Sequence, residues 1–309
     1  MRLLVAEDDT ASRLVLAATL QKLGHTVTAV ENGQQAWDAW QKDHYSLLIS
    51  DWMMPELDGQ ALCRKIRAEH RERYTYLILL TSLGGKDSYL DGMDAGADDF
   101  LTKPFDEDLL AARLHVAERI LALHEVLRTQ ATHDRLTGLL NRGAILDGLQ
   151  QELERASRDG TCVGVVMADL DHFKQVNDSH GHLVGDMVLQ EAARRMQAAM
   201  RSYDRLGRYG GEEFLLISPV GNGDHMRTVA DRIRLCISAT PIQTPAGAVI
   251  ATASLGVAIS RKGGKNDADE LIGAADAALY RAKEAGRNRV EIASPDAAVE
   301  HDSEKGMRQ

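Results

Sequence analysis

The residues best equipped for chemistry stand in two acidic groups. In the first, Glu7, Asp8 and Asp9 follow a short apolar run, and Asp51 follows another. Carboxylates drawn together repel, so such a group calls for a cation, and hard oxygen donors suit Mg²⁺. A metal there would hold a phosphoryl group over one carboxylate, which attacks as a nucleophile. Thr81 closes a later apolar run and offers a hydroxyl. Lys103, in TKPF, offers a cation ahead of Pro104, a proline expected to be cis in such a turn. The second group joins ADLDHFKQVND (168–178) to RYGGEEFLLI (208–217). Strands disfavour both Gly and Glu, yet two of each stand at the mouth of an apolar run. A plain hairpin turn is one reading of them. The other is a site that a bulky and a positive group must approach. If Asp169 and a glutamate of GGEEF lie on adjacent strands, their oxygens can share a metal. Gly210 and Gly211, lacking Cβ atoms, then let a nucleotide lie against the backbone. Asp171 faces the same way as Asp169 only if the strand continues to it.

The elements that must position these groups fall into two halves. LLVA (3–6), TVTAV (26–30), LLIS (47–50), LILL (77–80) and the weaker Asp99–Leu101 read as strands. Amphipathic stretches, Ala11–Leu23 and Gly33–Gln41 among them, lie between. Strand alternating with helix predicts a doubly wound parallel sheet covered on both faces. Ligands of such sheets sit at the carboxyl ends of the strands, where Glu7, Asp8 and Asp51 fall. From Asp106 to about Thr132 neither Gly nor Pro interrupts the chain, which predicts a connecting helix about 39 Å long. Leu110, Leu114, Ala117 and Leu121 form a stripe for its own sheet. Val116, Ile120, Leu123 and Leu127 follow a 3.5-residue repeat on another side, which suits a dimer seam or simply an exposed helix. From His133 strands (VGVVMADL, EFLLIS, VIATASLGVAI) and helices mix again, and FLLIS is expected to leave through a turn at PVGNGD. Residues 295–309 read as a polar, disordered tail.

At 309 residues the chain suits two domains. Its 44% hydrophobic content supports real cores, and its 5% aromatic content leaves aliphatic side chains to build them. A net charge of -10 disfavours a nucleic-acid partner. No run approaches the ~18 apolar residues of a membrane span, and only four apolar residues precede EDD, too few for a secretory leader. Cys63, Cys162 and Cys236 are odd in number and lack metal spacing, so they read as small buried hydrophobes in a reducing, cytoplasmic compartment. His172, His180 and His182 read as turn and surface residues rather than a metal cluster.

Two ordered sets of motifs carry family resemblances. VAEDD, DWMMPELDG, LLTS and LTKPF resemble the receiver domain of two-component response regulators, over residues 1–120. The resemblance implies that Asp51 is phosphorylated by a histidine kinase or phosphotransfer protein. Glu7, Asp8 and the Met53 backbone carbonyl would hold Mg²⁺ beside it, Thr81 and Lys103 would meet the phosphoryl oxygens, and Phe100 would be the rotameric switch. Glu7 departs from the usual Asp; its longer arm would reach the metal through a water. DRLTGLLNR (134–142), DLDHFKQVND (169–178), HGHLVGD (180–186), RYGGEEF (208–214) and ADAALYRAKEAGRNRV (275–290) resemble a GGDEF-family diguanylate cyclase over 133–294. That implies an α+β fold like nucleotidyl cyclases. The implied reaction joins two GTP into cyclic di-GMP and two pyrophosphates, in a homodimer or larger assembly with one GTP per catalytic domain.

Carried residue by residue, the resemblance assigns Mg²⁺ (or Mn²⁺ in its place) to Asp169, Glu213 and the Leu170 carbonyl. It puts Glu212 near the ribose 3′-hydroxyl, as base or positioning group. Asn177 and Asp186 would read guanine. Backbone N–H groups of Phe173 and Lys174 would cradle the terminal phosphates, aided by Lys283 and Arg287. Arg201 and Asp204, an RxxD five residues before GGEEF, match the family's product-inhibition site, with Arg232 as a second arm.

Overall fold

A computed structural model describes residues 1–69, 73–82, 92–220, 225–262 and 267–293. The chain divides into two compact units, Met1–Thr129 and Gln130–Gln309. The expected tail at 295–309 and residues 221–224 of the expected turn lie outside the described residues.

In the first unit, β1 (Arg2–Ala6), β2 (Thr26–Val30), β3 (Leu47–Asp51), β4 (Tyr76–Thr81) and β5 (Asp99–Thr102) form a sheet in the order β2-β1-β3-β4-β5. Every pairing is parallel. Helices α1 (Thr10–Lys22), α2 (Gly33–Lys42) and α3 (Gly59–Ala68) intervene. Alternate strand residues feed two cores. Leu3, Val5, Leu47 and Ile49 pack with α1 residues Leu16 and Leu20. Leu4, Leu48, Leu77 and Leu79 pack with Trp37, Trp40 and Leu62 from α2 and α3. Each helix starts where a polar side chain accepts an otherwise unpaired backbone N–H: Asp9 from Ser12, Asn32 from Gln35, Asp58 from Ala61. Asp9 is therefore committed to a helix cap, which leaves Glu7 and Asp8 for the acidic group.

The connecting helix α4 runs Glu107–Thr132. Leu110, Leu114 and Ala117 are buried, and Leu121 is partly buried on the same core. Of the second stripe, Ile120 also packs on that core, so the stripe is not uniformly free. Val116, Leu123 and Leu127 remain 45%, 63% and 62% exposed, and Val126 joins them at 53%. His124 stacks on Tyr74 with ring centroids 4.2 Å apart. Among the described residues no helix is long and apolar enough to cross a membrane.

The second unit carries a mixed sheet in the order β12-β11-β6-β8-β7. Its strands are β6 (Cys162–Leu170), β7 (Arg205–Gly210), β8 (Glu213–Val220), β11 (Ala253–Ile259) and β12 (Val290–Ile292), with a separate hairpin β9 (Ile242–Thr244) and β10 (Gly247–Val249). Helices α5 (Arg142–Asp159) and α9 (Ala268–Glu284) help build one core. The helices α6 (Phe173–His180), α7 (His182–Ala198) and α8 (His225–Ser238) help build the other.

Two strand expectations change. VIATASLGVAI is not one strand: β10 ends at Val249 and β11 begins at Ala253. Between them Ile250 is 74% exposed, and Thr252 turns its carbonyl and hydroxyl to the backbone and side chain of Asp171. FLLIS does not leave the sheet at Pro219, because β8 continues opposite β6 to Val220. A proline is tolerated there because β7 pairs with β8 only as far as Ile217. Cys63 and Cys162 are buried, and burial pushes the Cys63 thiol up to about 12; Cys236 is only partly buried.

Candidate functional site

The first acidic group forms as the sheet order requires. The oxygens of Glu7, Asp8 and Asp51 all lie within 4.8 Å of one another, at the carboxyl ends of neighbouring strands β1 and β3. Glu7 is buried, Asp51 partly buried and Asp8 exposed, so the group opens to solvent on one side. Lys103 Nζ stands 2.6 Å from Glu7 Oε2 and 2.7 Å from Asp51 Oδ2. Burial pushes the Glu7 carboxyl up; the Lys103 ammonium opposes this and the Asp51 charge adds to it. Burial alone would lower the Lys103 ammonium, but its bonds to Asp51 and Glu7 outweigh that and hold it above its ordinary value. A cluster of one cation against three carboxylates keeps surplus negative charge, and its all-oxygen donor set fits Mg²⁺. Thr81 is buried at the end of β4, beside Thr102 of β5. The Lys103–Pro104 bond is cis. Phe100 is buried, tilted against Trp52 with centroids 6.3 Å apart. The Met53 side chain is 69% exposed in the turn after β3.

The second group also assembles. Asp169 on β6 stands directly opposite Glu213 on β8 in the antiparallel register. Residues so paired put their side chains on one face with Cβ atoms about 4.5–5.5 Å apart. Burial raises the Asp169 carboxyl, against the pull of Lys283, whose Nζ lies 2.8 Å away. Burial raises the Glu213 carboxyl too, and the Asp169 charge adds to it. A buried and a partly buried acid on one face, both raised by burial, suit a divalent cation held by both and by a nearby carbonyl such as that of Leu170. Gly211 and Glu212 make the two-residue turn between β7 and β8, as the hairpin reading of the glycines expects. Gly211 has φ +44, and a Cβ built on it would meet nothing within 4 Å. A Cβ on Gly210 would meet only Glu213 Oε2, at 3.7 Å. The space over the turn is open.

The strand β6 ends at Leu170, so Asp171 does not share the face of Asp169. The chain passes through His172 at φ 57 and enters α6 with no side-chain cap. The first N–H groups of a helix have no intrahelical acceptor, and here they belong to Phe173 and Lys174. Asn177 sits on α6 and Asp186 on α7. The two helices approach so closely that a Cβ on Gly185 would lie 1.9 Å from Asn177 Oδ1. Lys283 is in the last turn of α9; Arg287 is exposed in the following turn at φ 62.

Arg201 and Asp204 line a depression of about 330 Å³ with His133, Gln197 and Met200. Asp204 accepts hydrogen bonds from the Arg201 backbone N–H at 2.9 Å and from the Ser218 hydroxyl at 2.7 Å, while the Arg201 guanidinium donates to Tyr203. Arg232 lies on α8 and lines a depression with Asp231, Leu235 and Cys236. His172, His180 and His182 are exposed and form no metal-holding group among the described residues.

Three supports escaped the sequence reading. Gly185 is buried inside a helix, where glycine costs about 1 kcal/mol relative to alanine, and that cost was the available signal of a close approach. Arg208 bridges Asp134, at 3.2 Å, and the carbonyl of Gly211, at 2.8 Å, tying the start of the unit to the GGEEF turn. Asp171 accepts from three groups far along the chain. No local signal marks the last two.

Comparison with known proteins agrees with this geometry. Residues 131–289 match the model of the diguanylate cyclase GGDEF domain, and residues 3–115 match that of the response regulator receiver domain. The response regulator PleD of Caulobacter vibrioides is 32% identical over 253 residues, 79% of this chain and 56% of that one. The diguanylate cyclase DgcP of Pseudomonas aeruginosa is 36% identical over 67% of this chain and 32% of its own length. The chain thus spans about half or less of these curated relatives. Among solved structures, the coiled coil and GGDEF domain of DgcB from Caulobacter crescentus in complex with c-di-GMP covers 60% of this chain and 98% of its own. It is 34% identical with a TM-score of 0.55. Diguanylate cyclase SiaD of Pseudomonas aeruginosa, solved with its activator SiaC, is 37% identical over 60% of this chain and 71% of its own, with a TM-score of 0.52. With more than half its length matched and a paired-carboxylate site at the GGEEF turn, the chain belongs to the GGDEF diguanylate cyclase family and carries a response regulator receiver domain ahead of that module.

Proposed function

We propose that this chain is a phosphorylation-controlled diguanylate cyclase that joins two GTP into cyclic di-GMP and two pyrophosphates. The observation that carries this is the cross-strand pair Asp169 and Glu213, with Lys283 on Asp169, at the mouth of an open glycine turn. Mg²⁺ bound by the pair would neutralise phosphate charge and polarise the reacting phosphoryl group. The chain's own groups would do the rest. Gly210 and Gly211 let the nucleotide lie close. Glu212, at the tip of the turn, would orient the attacking 3′-hydroxyl or take its proton. Phe173 and Lys174 N–H groups, with Lys283 and Arg287, receive the phosphates of the leaving pyrophosphate. Asn177 and Asp186 read the guanine, where a missing partner leaves buried polar groups unpaired.

The product is two-fold symmetric and each module offers one such site, so two modules must face one another. The exposed Val116, Leu123, Val126 and Leu127 on α4 support a helical seam between copies. A phosphoryl group on Asp51, met by Mg²⁺ at Glu7 and Asp8 and by Thr81 and Lys103, would shift receiver packing and bring the modules together. Tethering of this kind raises effective concentration to about mM and avidity by ~10²–10⁴ without changing a catalytic residue. Arg201 and Asp204 would bind product and restrain the enzyme. The relative solved with c-di-GMP supports a product-binding module.

Incubation with GTP and Mg²⁺ tests this reading directly: cyclic di-GMP should form, and faster with an acyl-phosphate donor. GTP binding without turnover would make the module a sensor instead. Equal rates and equal oligomer size with and without the donor would remove the switch.

A further inference from the structure

Asp171 lies two residues beyond the metal-site candidate Asp169, and its hydrogen bonds go to Ser254, Thr252 and Asn288 rather than to the candidate site residues. It is buried, yet both of its oxygens are occupied. Oδ1 accepts from the Ser254 hydroxyl at 2.7 Å. Oδ2 accepts from the Thr252 hydroxyl at 2.7 Å and from the Asn288 backbone N–H at 3.0 Å. Its own N–H donates to the Thr252 carbonyl at 2.9 Å. The carboxylate therefore joins three segments: the end of β6, the entry to β11, and the turn after α9.

That last turn is an unusual one. Gly286, Arg287 and Asn288 all have positive φ, at 110, 62 and 44. Consecutive non-glycine residues in this region persist only where surrounding contacts hold them. The Arg287 N–H donates back to the Ala282 carbonyl at 3.0 Å, and two contacts from other elements hold Asn288: the Asp171 carboxylate on its N–H, and the Arg234 guanidinium on its carbonyl and side-chain oxygen. The turn carries Arg287 and follows the helix end that carries Lys283. Asp169 grips that helix end through Lys283, and Asp171 grips the turn through the Asn288 N–H. One residue, His172, separates Asp171 from Phe173 and Lys174, whose N–H groups start α6.

We propose that Asp171 is a positioning residue that fixes the cationic turn bearing Arg287 against the N–H groups of Phe173 and Lys174, so that both close on the triphosphate of one GTP. The proposal rests on the cyclase reading above. Asp171 acts through hydrogen-bond acceptance rather than through charge at the substrate. An asparagine keeps that pattern: its amide oxygen can accept from Thr252 and Asn288, and its NH₂ can donate to the Ser254 hydroxyl.

The test separates the phosphate end of the nucleotide from its base. Binding of 3′-deoxy-GTP, which lacks the attacking hydroxyl, is compared with that of 3′-deoxy-GMP, alongside steady-state kinetics on the full chain. Asp171→Ala should raise KM for GTP and Kd for 3′-deoxy-GTP about tenfold, with kcat changed less than about threefold. The Kd for 3′-deoxy-GMP should stay within about twofold of wild type, and Asp171→Asn should restore KM to within about threefold. In an Arg287→Ala background, Asp171→Ala should add little. Should Asp171→Ala fail to fold, Asp171→Ser, which leaves a small acceptor in the same space, carries the same comparison. Equal weakening of both nucleotides, an undiminished effect in the Arg287→Ala background, or an Asp171→Asn variant as poor as alanine would overturn the proposal. A wild-type chain that binds no GTP would instead overturn the cyclase reading beneath it.

Discussion

Gly185→Ala offers a perturbation whose effects on stability and on recognition are expected to diverge. Gly185 is buried in α7, and an added Cβ would stand 1.9 Å from Asn177 Oδ1, 2.9 Å from its Cγ and 3.2 Å from the Phe173 ring. The Asn177 amide must withdraw by about 1 Å before the contact becomes tolerable, and displacements of that size in a positioned group have cost ~10²-fold in rate. Helix propensity works the other way, favouring alanine by about 0.8–1 kcal/mol. The strain falls on the end of a side chain rather than on backbone, so the two contributions should nearly cancel and leave unfolding free energy within about 1 kcal/mol of wild type. Recognition has no such compensation. If Asn177 reads guanine, its displacement leaves buried polar groups unpaired at about 1–3 kcal/mol. Taking about 2 kcal/mol gives a KM for GTP raised roughly 30-fold. The assay is cyclic di-GMP formation against GTP concentration, with urea unfolding of the same preparation. An unchanged KM in a folded variant would show that Asn177 does not touch the substrate. A parallel loss of stability would show that the contact is merely structural.

Glu191 accepts from both Arg194 and Arg195, at 2.7–2.8 Å, and these bonds hold its carboxyl down to about 2. A depressed acid stabilises the fold fully above the ordinary glutamate range, and the contribution fades as pH falls toward 2. Glu191→Gln should therefore cost about 1 kcal/mol at pH 7, after allowing for solvent screening, and nothing near pH 2; a loss independent of pH would contradict this. Mg²⁺ at 100 times its Kd should stabilise the receiver by about 2.7 kcal/mol, read as a rise in its melting temperature, and Asp8→Asn should remove most of that increment while sparing the apo protein. Replacing both Leu123 and Leu127 with glutamate should shift the phosphorylated chain toward monomer in sedimentation and lower turnover at low protein concentration. Unchanged assembly would place the seam elsewhere.

The sequence alone determined the strands of the receiver, the continuous helix Glu107–Thr132 and the two acidic groups, because each is written in contiguous residues. Apolar runs of strand length, the absence of Gly and Pro, and paired carboxylates beside glycines are local statements. Register is less local, but the opposition of Asp169 and Glu213 was still foreseeable, since both flank apolar strands that must pair to bury one face. Tertiary structure decided what the local pattern could not hold. It split 249–259 into two strands because Thr252 bonds to Asp171 rather than to the sheet. It joined Asp134 to Arg208, and Asp171 to Asn288, across 74 and 117 residues. Such contacts depend on where chain segments meet after packing, and a side chain's sequence neighbours carry no record of a partner that distant.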